Sequence, residues 1–129
     1  MRKILSISIL FAFLSLAFSG SAFALDVKSF HKDLNDWACI TAYLDVVMHP
    51  GFPHNSPMNS NLPQRLEELD KVKRSVMKVI NGIETTEELA TAQKVADEFR
   101  AMHSFEREIG EYVSQLLKER AKYISLQLQ

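Results

Sequence analysis

The sequence has few of the residues on which common catalytic and ligand-binding motifs depend. It contains one cysteine and four glycines in 129 residues, which excludes a CxxC-type metal site and a glycine-rich phosphate-binding loop. The motifs GxSxG, HExxH and CxxCH do not occur in it. The sequence therefore indicates a protein that is not an enzyme, and we predict no catalytic residue.

Basic residues are too few for a nucleic-acid-binding protein. Lys and Arg together number 15 against 16 Asp and Glu, so the net charge is −1, whereas nucleic-acid binders gather a basic surplus on one face. Hydrophobic residues make up 47% of the chain and charged residues 24%, a composition typical of a folded domain rather than a disordered chain. A chain of this length forms one domain.

The first 24 residues have the three-part layout of a secretory signal peptide. Arg2 and Lys3 supply the positive start, residues 4–18 carry no charge, and Ala22-Phe23-Ala24 forms an A-x-A cleavage site. The uncharged run is shorter than the roughly 20 apolar residues of a transmembrane helix. We therefore expect cleavage after Ala24, a periplasmic or secreted protein with no membrane anchor after cleavage, and one helical domain over residues 25–129.

Apolar residues recur at helical spacing beyond this segment and no run alternates as a strand would, so the predicted fold class is all-α. Helix A is predicted over residues 27–48 and helix B from Pro63 to Asn81, with a loop rich in proline between them. Asp26 is placed to cap helix A, and Thr85 opens a capping box for helix C. The architecture we expect is a small antiparallel helical bundle.

Helix C is predicted over residues 86–127 and has two interpretations. Apolar positions recur every seven residues from Val95 to Tyr123 and pass Gly110 without a slip, which favours one continuous helix about 63 Å long in a three-helix bundle. Such a helix would overhang helices A and B and offer a contact for a homo-oligomer. The alternative is a bend between His103 and Gly110, which would give four helices.

The loop after helix A holds the richest cluster of metal-binding residue types in the chain. Two thioethers and two imidazoles fall within eleven residues: Met48, His49, His54 and Met58. Thioether combined with imidazole suits copper, especially Cu(I), so periplasmic copper binding is the alternative function. The interpretation we favour is that Met48 packs at the end of helix A, Met58 covers the loop, both histidines lie in water, and no cofactor is bound.

Two sets of apolar residues lie on opposite sides of helix A: Phe30, Trp37, Leu44 and Met48 on one, and Cys39, Ala42, Tyr43 and Val46 on the other. A helix that is apolar on both sides is covered on both sides. Either helix C and the loop cover the second set and make Cys39 an inert core thiol, or a partner protein binds there. An unpaired cysteine is unusual in an exported protein, because oxidising surroundings favour pairing.

The segment Asp36-Trp37-Ala38-Cys39-Ile40 resembles the opening of two families of periplasmic proteins, the acid-stress chaperones and the immunity proteins that block type VI cell-wall amidases. Both families generally carry a second cysteine, which this chain lacks, so the resemblance assigns no family. It implies only that small exported helical proteins commonly bind other proteins. We expect such a function here, as an inhibitor, immunity factor or chaperone, with the partner at Cys39, Ala42, Tyr43 and Val46.

Overall fold

The computed structural model describes residues 25–127, and within this range the chain is all-α, as predicted. It forms four α-helices and one short 3-10 helix: α1 (Val27–Val47), the 3-10 helix (Pro57–Asn61), α2 (Leu62–Asn81), α3 (Thr86–Arg100) and α4 (Ser104–Gln127). The predicted signal peptide lies outside the described residues. None of the described helices is both long enough and apolar enough to cross a membrane.

Helices α1 and α2 form an antiparallel hairpin. The predicted cap of α1 is confirmed, since the Asp26 carboxylate accepts a hydrogen bond of 3.0 Å from the backbone N–H of Ser29. The Ser75 hydroxyl of α2 donates to the Asp33 carboxylate of α1 at 2.7 Å and ties the two helices together near the middle. Each helix has about 20 residues, so the hairpin is about 30 Å long.

Helices α3 and α4 form a second antiparallel hairpin, packed on the first. The predicted cap of α3 is confirmed, since the Thr85 hydroxyl accepts from the Glu88 N–H at 3.1 Å. The Glu88 carboxylate accepts from the Glu84 N–H at 3.3 Å, one residue before the N–H that a standard capping box uses. Gln93 of α3 donates to the Ser114 hydroxyl of α4 at 2.9 Å. The fully buried side chains of the core come from all four helices and the turn before α3: Phe30, Leu34, Val76, Ile80, Ile83, Phe99, Val113 and Leu117.

The prediction of one continuous helix C is wrong, and the four-helix alternative is correct. The chain leaves α3 after Arg100 and enters α4 at Ser104, whose φ of 56° lies in the left-handed region. The Arg107 side chain donates to the Met102 carbonyl at 3.4 Å and so bonds the start of α4 to the turn that follows α3. The turn lies at the His103 end of the range in which a bend was expected, and Gly110 lies inside α4.

The seven-residue repeat therefore joins positions from two separate helices. Val95 and Ile109 are buried, whereas Met102 is 36% exposed and Tyr123 49% exposed, so the repeat does not mark one continuous seam. With 24 residues, α4 is about 36 Å long. The 63 Å helix from which we expected a homo-oligomer contact is not present.

Candidate functional site

The end of the α1–α2 hairpin is the least covered part of the described chain. No residue from Met48 to Ser75 is buried, whereas the second part of α2 buries Val76 and Ile80 in the core. Leu69 and Val72 of the first part of α2 are only half-buried against the core. Burial thus decreases along α2 toward the loop.

Large apolar side chains surround this end of the hairpin and remain in contact with solvent. Four of them are between 41% and 63% exposed: Val46, Met48, Met58 and Leu66. We call these four residues the loop-end patch. Val46 and Met48 lie on opposite sides of the end of α1, and five further large apolar side chains are exposed elsewhere in the described chain. The loop end differs from those places because its exposed apolar groups adjoin a stretch, residues 48–75, without a buried residue. Exposed apolar groups at one place are typical of surfaces that bind another macromolecule.

The loop beneath the patch is held by hydrogen bonds. The Asn59 side-chain amide donates to the carbonyls of Pro53 and His54 at 3.0 and 2.9 Å. The Tyr43 hydroxyl of α1 donates to the Met58 carbonyl of the 3-10 helix. These bonds fix the loop on the end of α1, so the exposed methionine Met58 has a defined position.

Cys39 lies at the surface, so the interpretation of Cys39 as a buried core thiol is wrong. It borders a shallow groove of about 410 Å³ between α1 and α2, whose α2 side is lined by Arg65, Glu68 and Lys71. Arg65 and Glu68 form an ion pair of 2.5 Å. On the α1 side, a hydrogen bond from Lys32 to Asp36 raises the pKa of the Lys32 ammonium above its ordinary value. The groove therefore presents both signs of charge around an exposed thiol.

The four residues predicted for partner binding differ in their exposure to solvent. Cys39 and Val46 are exposed, while Ala42 and Tyr43 are half-buried. The Tyr43 ring lies 6.0 Å from the Arg65 guanidinium, and its hydroxyl bonds the 3-10 helix. Tyr43 therefore contacts its own chain through both its ring and its hydroxyl, and Val46 is the member of the set that belongs to the loop-end patch.

The residues predicted as copper ligands lie on an exposed loop. The His49 ring nitrogen Nδ1 accepts a hydrogen bond of 3.2 Å from the Gly51 N–H, which leaves Nε2 as its other nitrogen. His49 lines a hollow of about 450 Å³ together with Asp45 and Phe52, and His54 is not part of that lining. Within residues 25–127, no three His, Cys, Asp or Glu side chains come together, a finding that does not bear on ligation by methionine. Copper binding through Met48, His49, His54 and Met58 stays a prediction.

The exposure of Leu66 was missed by reasoning from the sequence. Leu66 lies at helical spacing with the other apolar residues of α2, and such a pattern predicts that all of them face the core. In the structure it is 45% exposed, while Ile80 in the same pattern is 2% exposed. Helix α3 has only 15 residues, compared with 20 in α2. On the side of α3, the α3–α4 hairpin is therefore shorter than the α1–α2 hairpin. A prediction that placed the turn at residues 101–103 would have indicated this uncovered end.

Comparison of the chain with known protein families, curated proteins and solved structures finds no match in any of the three. Two features of the described chain bear on function: an uncovered hairpin end with the loop-end patch, and an exposed thiol at the groove between α1 and α2.

Proposed function

We propose that this is an exported protein that acts by binding another protein, as an inhibitor, immunity factor or chaperone. The observation that carries the proposal is the loop-end patch: four large apolar side chains between 41% and 63% exposed at one end of the hairpin. Full burial of a side chain such as Leu or Met is worth roughly 1.5–3 kcal/mol. Burial of the patch by a partner protein would therefore contribute favourable free energy to binding, because these side chains are exposed in the isolated chain.

In most protein–protein interfaces, a few large side chains that insert into the partner contribute most of the binding free energy. The contacts around them contribute little. Leu66 and Met48 suit this role, because they project from two different elements and are 45% and 63% exposed. Val46 is the member of the predicted set Cys39, Ala42, Tyr43 and Val46 that also lies at this end. The sequence of the first 24 residues supports the exported location of the protein.

Site-specific photocrosslinking in the source cell tests the proposal. The full chain is produced with the crosslinking amino acid p-benzoylphenylalanine in place of Leu66, and in a matched control in place of Glu98, an exposed residue of α3. Irradiation should give a discrete heavier product from position 66 and none from position 98. Adding Met48→Glu, which places a charge in the patch, should remove that product.

The number of crosslinked products distinguishes an inhibitor or immunity factor from a chaperone. One product is the result expected of an inhibitor or immunity factor, and a ladder of products is expected of a chaperone. Equal crosslinking from positions 66 and 98, or no product from position 66, would overturn protein binding at the patch. A product of twice the mass of the chain would mean that the patch pairs with itself, and would overturn it as well.

The exported location has its own test. Mass spectrometry of the protein from the periplasmic or secreted fraction should find a chain that begins at Leu25. Recovery of the intact chain with Met1 in the membrane fraction would contradict both the cleavage and the location.

A further inference from the structure

The turn between α3 and α4, residues 101–103, has a conformation that its own sequence does not favour. It contains neither proline nor glycine, and Arg100, Ala101 and Met102 are residue types that favour a helix. Ser104, which follows the turn, is the one non-glycine residue with a positive φ in the part of the chain that the structure describes. A positive φ costs free energy for any residue with a Cβ atom. Local preference therefore favours a helix that continues through the turn.

The buried sides of α3 and α4 would line up on one continuous helix. At about 3.6 residues per turn, every buried residue of the two helices falls on the same half of such a helix. These residues are Ala92, Val95, Ala96, Phe99, Ile109, Gly110, Val113, Ser114, Leu117 and Ile124. The middle of the α3 set and the middle of the α4 set differ in direction by only about 20°. A straight helix therefore presents both sets to the same side.

We propose that two copies of this chain exchange α4 to form a domain-swapped dimer, in which α3 and α4 of each copy join into one helix over residues 86–127. When the turn straightens, α4 leaves the core of its own chain, and its buried residues need a core of the same shape. The α1–α2 hairpin and α3 of a second copy provide that core, because they are identical to the surfaces that α4 has left. A second copy is thus the partner into which every buried side chain of α4 already fits.

Two straight helices in antiparallel order would re-form the packing of the α3–α4 hairpin between the copies. Within one chain, Gly110 passes so close to α3 that an added Cβ would lie 2.5 Å from the Arg100 backbone nitrogen. Gln93 donates to the Ser114 hydroxyl at 2.9 Å. Both pairs are centred along the chain next to Ser104, so a two-fold axis at that point restores both of them, each between one copy and the other.

The exchanged form gains contacts that the single chain lacks. Met102, which is 36% exposed in the turn, lies on the buried half of a continuous helix. Its carbonyl accepts from Arg107 at 3.4 Å in the turn and would accept from the Glu106 N–H within the helix. Other backbone groups left free at the two helix ends would pair in the same way. These gains oppose the loss of translational and rotational freedom on association, so the balance depends on protein concentration.

Exchange requires unfolding, because α4 contributes Val113 and Leu117 to the core. Folded monomer and folded dimer therefore interconvert slowly, and the concentration at which the chain folds selects between them. The proposal goes beyond the proposed function, since none of the residues that carry it belongs to the loop-end patch.

Refolding of the purified protein from urea, in a reducing buffer that keeps Cys39 a free thiol, tests the proposal. Refolding at about 1 mM should give a dimer in size-exclusion chromatography that persists after dilution, and refolding at about 1 µM should give the monomer. A monomer alone after refolding at the higher concentration would overturn the exchange.

Two replacements of Ser104 should shift the equilibrium in opposite directions. Ser104→Gly accepts the left-handed turn and disfavours a helix, so it should raise the concentration of half-dimerisation about tenfold. Ser104→Ala favours a helix and should lower that concentration. Ser125→Gly and Ser125→Ala make the same changes at an exposed position inside α4 and should have no effect. Equal dimer fractions for the two Ser104 variants would contradict the role of the turn and overturn the proposal.

Crosslinking between copies distinguishes exchange from any other kind of dimer. Asp97 of α3 and Glu111 of α4 are exposed and line one shallow hollow. In a Cys39→Ser background, one protein carries Asp97→Cys and a second carries Glu111→Cys, and a short bismaleimide joins the thiols. Refolding the two together at about 1 mM should give the linked heterodimer, and mixing them after separate refolding should give about a tenth as much or less. A dimer that gives no such link would overturn the exchange of α4.

Discussion

A Cβ atom on Gly110 would lie 2.5 Å from the backbone nitrogen of Arg100 and 2.8 Å from the carbonyl oxygen of Ala96. Helix α4 thus crosses the end of α3 at a distance that no side chain permits, because both obstacles are backbone atoms. The two helices of the second hairpin owe their close packing to this glycine.

Replacing Gly110 by Ala should lower the free energy of unfolding by about 3 kcal/mol or more, since the added methyl group forces two helices apart. Gly51→Ala is the matched control. A Cβ there would meet only the His49 ring, at 3.6 Å, so the change should be within about 0.5 kcal/mol. Urea denaturation measures both, and similar losses in the two variants would contradict the close crossing.

Ser104 occupies the left-handed region with φ of 56° at the start of α4. Ser104→Gly should leave stability unchanged or raise it by up to about 1 kcal/mol, because glycine adopts this conformation without steric cost. Ser104→Val should lower stability by about 1–2 kcal/mol, since a β-branched side chain tolerates a positive φ least. Thermal melts compare the two, and the reverse order of stability would contradict the conformation of the turn.

Val46 and Val47 are neighbours on α1 with opposite surroundings, 48% and 7% exposed. Val46→Glu should change the unfolding free energy by no more than about 0.5 kcal/mol, whereas Val47→Glu should cost about 3 kcal/mol or more by burying an unpaired charge. In a domain of about 100 residues the second loss corresponds to a drop in Tm of about 15 °C. A large drop in the Val46 variant would remove Val46 from any partner surface.

Cu(I) should leave the Tm of the protein unchanged. A metal that binds only the folded state at 100 times its Kd would add about 2.7 kcal/mol of stability. Coordination by His49 Nδ1 would first have to break its hydrogen bond with the Gly51 N–H. The control replaces His49, His54 and Met58 together, and a rise in Tm that disappears in that variant would establish the copper site instead.

Helix starts were predictable because their signals are local. Asp26 and Thr85 are followed within three residues by the backbone N–H groups that they cap, so the contact depends only on nearby sequence. The turn after α3 has weaker local signals: Arg100 in the last turn, then Ser104 and Glu106 at the next start. The turn contains neither proline nor glycine, so these weak signals were outweighed by the regular apolar spacing, which predicts one continuous helix.

Gly110 shows why features other than helix starts cannot be predicted without knowing how the helices pack. A glycine inside a helix pattern indicates either a bend or a close approach of another backbone, and only the position of α3 decides between them. The same holds for the candidate site. The exposed position of Val46 followed from its side of α1, but the exposure of Leu66 depends on how far α3 and α4 extend, and the bond from Tyr43 to Met58 depends on the fold of the loop.

The uneven burial along α2 also has a consequence for how this domain opens. Its last turns are anchored by Val76 and Ile80, while no residue before Val76 in this helix is buried. Backbone amides near Leu69 should therefore exchange their hydrogens through local fraying of the hairpin end, at a much smaller free energy than global unfolding. Amides near Ile80 should exchange only when the whole domain unfolds. One helix then belongs to two cooperative units, and a partner that seats on the loop-end patch would slow exchange selectively in the first of them.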